Sequence, residues 1–152
     1  KRQGLAIREA GGGYGGSNPY FKSLLARGMA EDGNPSAALQ LIDEQISQIE
    51  RPNWSEKSHF AEVLRIKGWL LSLEGDAAGA ESNYHAALDH AREQQAKSWE
   101  LRAATSLARH WQQQGKADAA RKLLEPVYGW FGEGFDTGDL QDAKALLDEL
   151  QT

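Results

Sequence analysis

Cysteine is absent from this sequence. That removes disulfides, zinc–thiolate sites and thiol nucleophiles together, and makes the cytoplasm the expected compartment. Long apolar runs are also missing: none approaches the roughly 20 residues that a spanning helix needs, and Lys1-Arg2 is not followed by a signal-peptide core. No membrane partner is expected. A basic surplus is lacking too, because 17 Lys and Arg stand against 22 Asp and Glu, a net charge of −5. Neutralising phosphates needs a basic surface, so no nucleic-acid partner is expected either. Prolines number only four, and two of them follow asparagine, at Asn18-Pro19 and Asn34-Pro35. Asparagine as a cap with proline in the first turn is a helix start.

What is present reads as helices and turns. The 152 residues suffice for one domain or for three to four repeats of roughly 34 to 45 residues, with no room for a catalytic domain besides. Leu5 to Ala10 reads as the tail of a helix that starts upstream, which makes the chain a fragment of a longer protein. Gly11 to Gly16 breaks that helix. Its Gly11, Gly13 and Gly16 satisfy the G-x-G-x-x-G spacing, but a phosphate cradle needs a strand before it, and a helical segment stands there instead. Residues 1–17 are therefore read as a helix end and a flexible connection.

From Asn18 onward, glycines set a period. Gly33, Gly75 and Gly115 are each followed by a helix start, at separations of 42 and 40 residues. Under those offsets Ala38, Ala80 and Ala120 coincide, as do Ile42, Tyr84 and Leu124, while Met29, Leu71 and Trp111 coincide on the preceding helix. Small residues meet small ones and bulky meet bulky. The spacing predicts three helix-turn-helix repeats over about 18–51, 55–95 and 98–128. Ser55 and Asp76 serve as caps, and Pro126 is expected to bend or stop the last helix of the third repeat. Tyr128, Trp130, Phe131 and Phe135 read as an aromatic plug over the end of the stack. A final helix over 137–150, capped by Asp136 or Thr137, has Leu140, Ala143, Leu146, Leu147 and Leu150 on one face. From Asp136 on, five acids stand against Lys144, so this element reads as a solvated cap.

The central copy, Leu64 to Ala87, carries its small and large residues in a specific order: Leu64, Gly68, Leu71, Ala80, Tyr84 and Ala87. In this it resembles the tetratricopeptide-repeat family, and the likeness extends from about Asn18 to Val127. Ala26 and Ala108 stand where the family has its close-packing glycine, and Arg92 stands where it has its terminal proline. The resemblance implies an all-α fold, a right-handed α-solenoid of about three helix-turn-helix repeats plus a C-terminal capping helix, over 18–152. It further implies that the first helix of each repeat lines a concave groove. Counting from Ala61 places Glu62, Arg65 and Trp69 there, with Tyr20 and Arg27 in the first copy and Arg102 and Arg109 in the third. Aromatic and arginine side chains are the usual interface anchors, so a protein or peptide segment is the expected partner, upstream domains of the same chain included.

Two stretches, Glu100 to Trp111 and Leu123 to Leu150, resemble the extreme C-terminus of large bacterial signalling proteins. In those, a class III adenylate/guanylate cyclase domain or a DNA-binding domain precedes an AAA-type ATPase and a tetratricopeptide region. The expected role is a non-catalytic interaction or regulatory module of such a protein. The alternative is a ligand- or peptide-sensing domain of a transcriptional regulator. No cofactor or metal is expected, and the sequence does not fix an oligomeric state. Asp136-Thr137-Gly138 spells the aspartic-protease triplet but stands before a helix, where a cap is the simpler reading. His85 and His90 lie five apart and do not share a helix face, so the four histidines, His59, His85, His90 and His110, read as packing or exposed groups.

Overall fold

The computed structural model describes residues 19–52, 57, 59–134 and 137–151, and the fold within them is all-α. The Gly-rich connection, Ser55, Phe135 and Asp136 lie outside the described residues. The helices are α1 (Pro19–Glu31), α2 (Pro35–Ile49), α3 (Phe60–Leu73), α4 (Ala77–Glu93), α5 (Lys97–Gln113), α6 (Ala117–Gly129) and α7 (Gly138–Leu150). They fall into two compact units, Lys1–Asn83 and Tyr84–Thr152, with the boundary inside α4.

Each glycine of the sequence period ends a helix in the same way. Gly33, Gly75 and Gly115 have φ of 92°, 86° and 79°. That left-handed conformation costs a residue with a Cβ about 1–2 kcal/mol. It lets the N–H of Asn34, Asp76 and Lys116 reach back to the carbonyl of Met29, Leu71 and Trp111 at 2.9, 2.9 and 2.8 Å. This six-to-one closure satisfies carbonyls that the helix end would otherwise orphan. Asp76 then accepts the Gly79 N–H at 2.9 Å and caps α4. Asn34 and Thr137 precede α2 and α7 without a side-chain cap bond; at α2, Pro35 stands in the first turn. The α4–α5 turn uses the same closure with no glycine. Gln95 takes φ 55° there, and Ala96 N–H donates to Ala91 O at 2.9 Å.

In the first unit α1, α2 and α3 all pack on one another. Ser36 Oγ donates to Glu74 Oε1 at 2.8 Å, and Lys67 pairs with Asp43 at 2.8 Å, so numbers rise along α2 as they fall along α3. Those two helices are antiparallel. Tyr20, at the start of α1, stacks on His59 at the start of α3, with ring centroids 4.3 Å apart, so α1 and α3 begin side by side. Ala26, Ala38, Ile42, Val63, Ile66 and Leu70 form the core between the three helices, with Met29, Phe60 and Trp69 packed against it.

The second unit repeats this scheme with α5, α6 and α7. Arg102 pairs with Asp139 at 2.9 Å, and Gln112 donates to Glu149 at 3.1 Å. Both pairs are 37 residues apart, so α7 runs parallel to α5, as a further first helix would. The leucine face behaves as its spacing predicts: Leu140, Ala143, Leu146, Leu147 and Leu150 are all buried. The small positions at the helix crossings, Ala26, Gly68 and Ala108 on first helices and Ala38, Ala80 and Ala120 on second helices, are buried throughout.

At two points this unit departs in part from expectation. Helix α6 does not stop at Pro126 but continues to Gly129. Proline removes only the hydrogen bond to the Lys122 carbonyl; both residues are exposed, so water can solvate that carbonyl, while Leu124 and Val127 hold the helix in the core. Of the aromatics read as a plug, Tyr128 and Phe131 are half-buried, but Trp130 is 60% exposed and does not join one. The leucine face of α7 already covers α5 and α6, which leaves the indole outside, edge-on to Phe131 with centroids 5.1 Å apart.

Candidate interaction surfaces

On α1, Tyr20 and Arg27 are seven residues apart and share a helix face. Tyr20 is half-buried in its stack on His59, and Arg27 is exposed. On α3, Glu62, Arg65 and Trp69 follow at three- and four-residue spacing, again on one face. Their environments differ. The Glu62 side chain is 2% exposed, and Arg65 grips it through two bonds, Nε to Oε1 at 2.8 Å and Nη2 to Oε2 at 2.7 Å. This fork-to-fork geometry is the strong form of the pair. Glu62 therefore holds the Arg65 guanidinium in place, and Arg65 is the member that reaches solvent. Trp69 is half-buried and lies against the core of the first unit, with its carbonyl accepting the Ser72 hydroxyl at 2.7 Å.

In the second unit Arg102 and Arg109 share a face of α5. Arg102 is half-buried, tied to Asp139, and its guanidinium carbon lies 5.2 Å from the Trp99 ring centroid. Arg109 is exposed. Two of its histidines pack against aromatics: His110 is buried edge-on to Tyr84, with centroids 5.7 Å apart, and bonds Gln114 at 3.2 Å. His85 is tilted over Trp111, with centroids 5.8 Å apart. Among the described residues no group of three His, Cys, Asp or Glu could hold a metal ion, and no helix is long and apolar enough to cross a membrane.

The same unit contains a cleft that the sequence reading missed, a cavity of about 260 Å³ where the end of α4, the start of α5 and the end of α6 converge. Leu123, Pro126, Val127 and Trp130 give it an apolar wall; Arg92, Lys97 and Lys122 supply cations, and Glu100 the one carboxylate. Glu100 is held by Arg92 at 3.1 Å and Lys97 at 3.4 Å. Lys97 also stands over the Trp130 ring, 5.1 Å from its centroid. Lys122 pairs at 3.1 Å with Asp118, whose carboxyl is held below its ordinary value by the Lys122 hydrogen bond first and the Lys122 charge second. The sequence carries no signal of this site, because its members come from three helices that are brought together only when they pack.

Antiparallel helix pairs closed by identical left-handed turns, with small residues at the crossings and parallel first helices, define a tetratricopeptide-like helical repeat. Residues 101–126, most of α5 and of α6, match the family model described as tetratricopeptide repeat. The match falls on the third copy, not on the central copy where the sequence order is plainest. No curated protein matches the chain.

Proposed function

We propose that the chain is a non-catalytic interaction module that binds protein segments through first-helix faces, those of α1 and α3 in the first unit and that of α5 in the second. The observation that carries this reading is the tetratricopeptide match over α5 and α6, since such repeats are generally scaffolds that bind proteins or peptides. Exposed Arg27 and Arg109, and Arg65 fixed by Glu62, supply directed cationic donors; half-buried Tyr20 and Trp69 supply rigid aromatic edges. Arg102 serves this surface less directly, because Asp139 engages it.

The module is further proposed to be the C-terminal arm of a larger bacterial signalling protein, cyclase- or ATPase-linked, with the upstream domains of that protein as its partner. Reading the coding sequence upstream of Lys1 tests the context: a cyclase or ATPase domain there is expected, and a reading frame that opens within a few residues of Lys1 would sink it. Binding is tested by titrating those upstream domains, produced separately, against this chain. Arg27→Glu and Arg109→Glu should each weaken the complex by about tenfold while leaving the melting temperature nearly unchanged. Equal affinity of both variants and the parent chain would refute the groove.

A further inference from the structure

We propose that the cleft at the ends of α4, α5 and α6 is a second docking site, specific for an acidic protein segment with an apolar side chain at its centre. Charge complementarity decides the sign of the partner. Three cations converge on the cleft against one carboxylate, and that carboxylate, Glu100, is already engaged by Arg92 and Lys97. Lys122 is 74% exposed and its partner Asp118 66% exposed, so that ammonium can turn to an incoming carboxylate without leaving a buried partner; Arg92, 47% exposed, stays on buried Glu100 through Nε and offers its remaining N–H donors. Even with Asp118 on Lys122 counted, the cleft keeps more cations than carboxylates in a chain of net charge −5, and this favours acidic ligands over basic ones at encounter.

The apolar wall decides the rest. Trp130 is the most exposed of the large hydrophobic side chains described, and it faces a cleft floored by Leu123, Pro126 and Val127. Lys97 over its ring and Phe131 against its edge restrict the indole, so seating a ligand side chain on it costs little ordering entropy. A volume of about 260 Å³ lies below the roughly 300–1,000 Å³ of pockets that enclose a drug-sized molecule, and suits one large side chain. The site therefore takes a leucine or similar side chain on Trp130 and Val127, while flanking carboxylates pair with Lys122, Arg92 and Lys97. Its position at the helix ends, built from second helices as much as from a first helix, separates it from the face that carries Arg102 and Arg109.

The experiment is an amide and indole NMR titration of the whole chain with a short peptide in which aspartates flank a central leucine. Saturable shifts are expected at the Trp130 indole N–H and at the amides of Lys97, Glu100 and Val127. Lys122→Glu should weaken that binding by at least about tenfold, since it places like charges opposite one another. Lys116→Glu, the same charge change outside the cleft, should leave it within about twofold. Replacing the central leucine by glycine should weaken it by about tenfold, the loss of one buried aliphatic side chain. Four results would overturn the proposal. One is the absence of saturable shifts at these residues. Another is equal binding of a peptide with lysines in place of the aspartates. A third is equal weakening by both lysine variants. The last is reproduction of the same shifts by sodium phosphate alone, which would reduce the cleft to a simple anion contact. Because the readout is residue by residue on the cleft, it stands or falls independently of the groove formed by first helices.

Discussion

Removing the Arg65 guanidinium would leave the Glu62 carboxylate, 2% exposed, without its two charged hydrogen bonds from α3. Taking away one partner of a buried pair costs more than the pair contributes, because part of the survivor's desolvation is then no longer offset. Arg65 itself is 19% exposed, which places the loss below the fully buried case. Arg65→Ala should therefore lower stability by about 2–4 kcal/mol, seen as a lower urea midpoint at unchanged slope. A midpoint shift near zero would mean that the pair is only a surface contact. An acid three residues from an arginine looks like an exposed pair in the sequence, and only the packing of α3 reveals that the acid is inside. At Gln95 the sequence is equally silent: φ is 55°, a conformation that glycine adopts freely and glutamine does not. Gln95→Gly should stabilise by about 0.5–1 kcal/mol, the relieved left-handed strain less the added unfolded-chain entropy. A destabilised variant would show that the glutamine side chain contributes something that the backbone argument omits.

At the scale of elements, α7 is the plainest case of a helix specified by its apolar face. Leu146 is fully buried where α7 meets α5 and α6. Leu146→Ala should cost about 2–5 kcal/mol, the transfer term plus the cavity left behind, measurable in the thermal or urea transition. A loss under about 1 kcal/mol would mean that α7 is loosely attached. The leucine spacing of this helix, the glycine period and the coincidence of Ala38, Ala80 and Ala120 were legible in the sequence because each expresses a rule local to a turn or a helix face. What could not be read arises between elements. That α6 runs past Pro126 depends on Leu124 and Val127 being anchored by neighbours, and Trp130 stays outside because α7 has already covered the core. For the seven residues proposed to bind a partner, sequence spacing gave the helix faces; the burial of Glu62, the Asp139 tie on Arg102 and the contact of Trp69 with the core are tertiary facts.

For the whole molecule the controlling quantity is the balance of charge. Lysine and arginine are outnumbered 17 to 22, and many are committed to internal pairs, among them Arg65–Glu62, Lys67–Asp43, Arg102–Asp139 and Lys144–Asp148. Binding to a nucleic-acid backbone gains free energy by releasing counterions from each phosphate neutralised, which needs cations arrayed along the axis. The three cations of the cleft converge on a point, Arg92 and Lys97 on Glu100 and Lys122 on Asp118, a geometry that suits a few ligand carboxylates and offers no track for a strand. The chain should therefore leave duplex DNA unretarded in a gel-shift assay at physiological salt and protein concentrations up to about 10 μM, where basic proteins bind non-specifically. Retardation that falls steeply as salt is raised would show several phosphate contacts and would overturn the reading of this charge distribution as suited to protein partners.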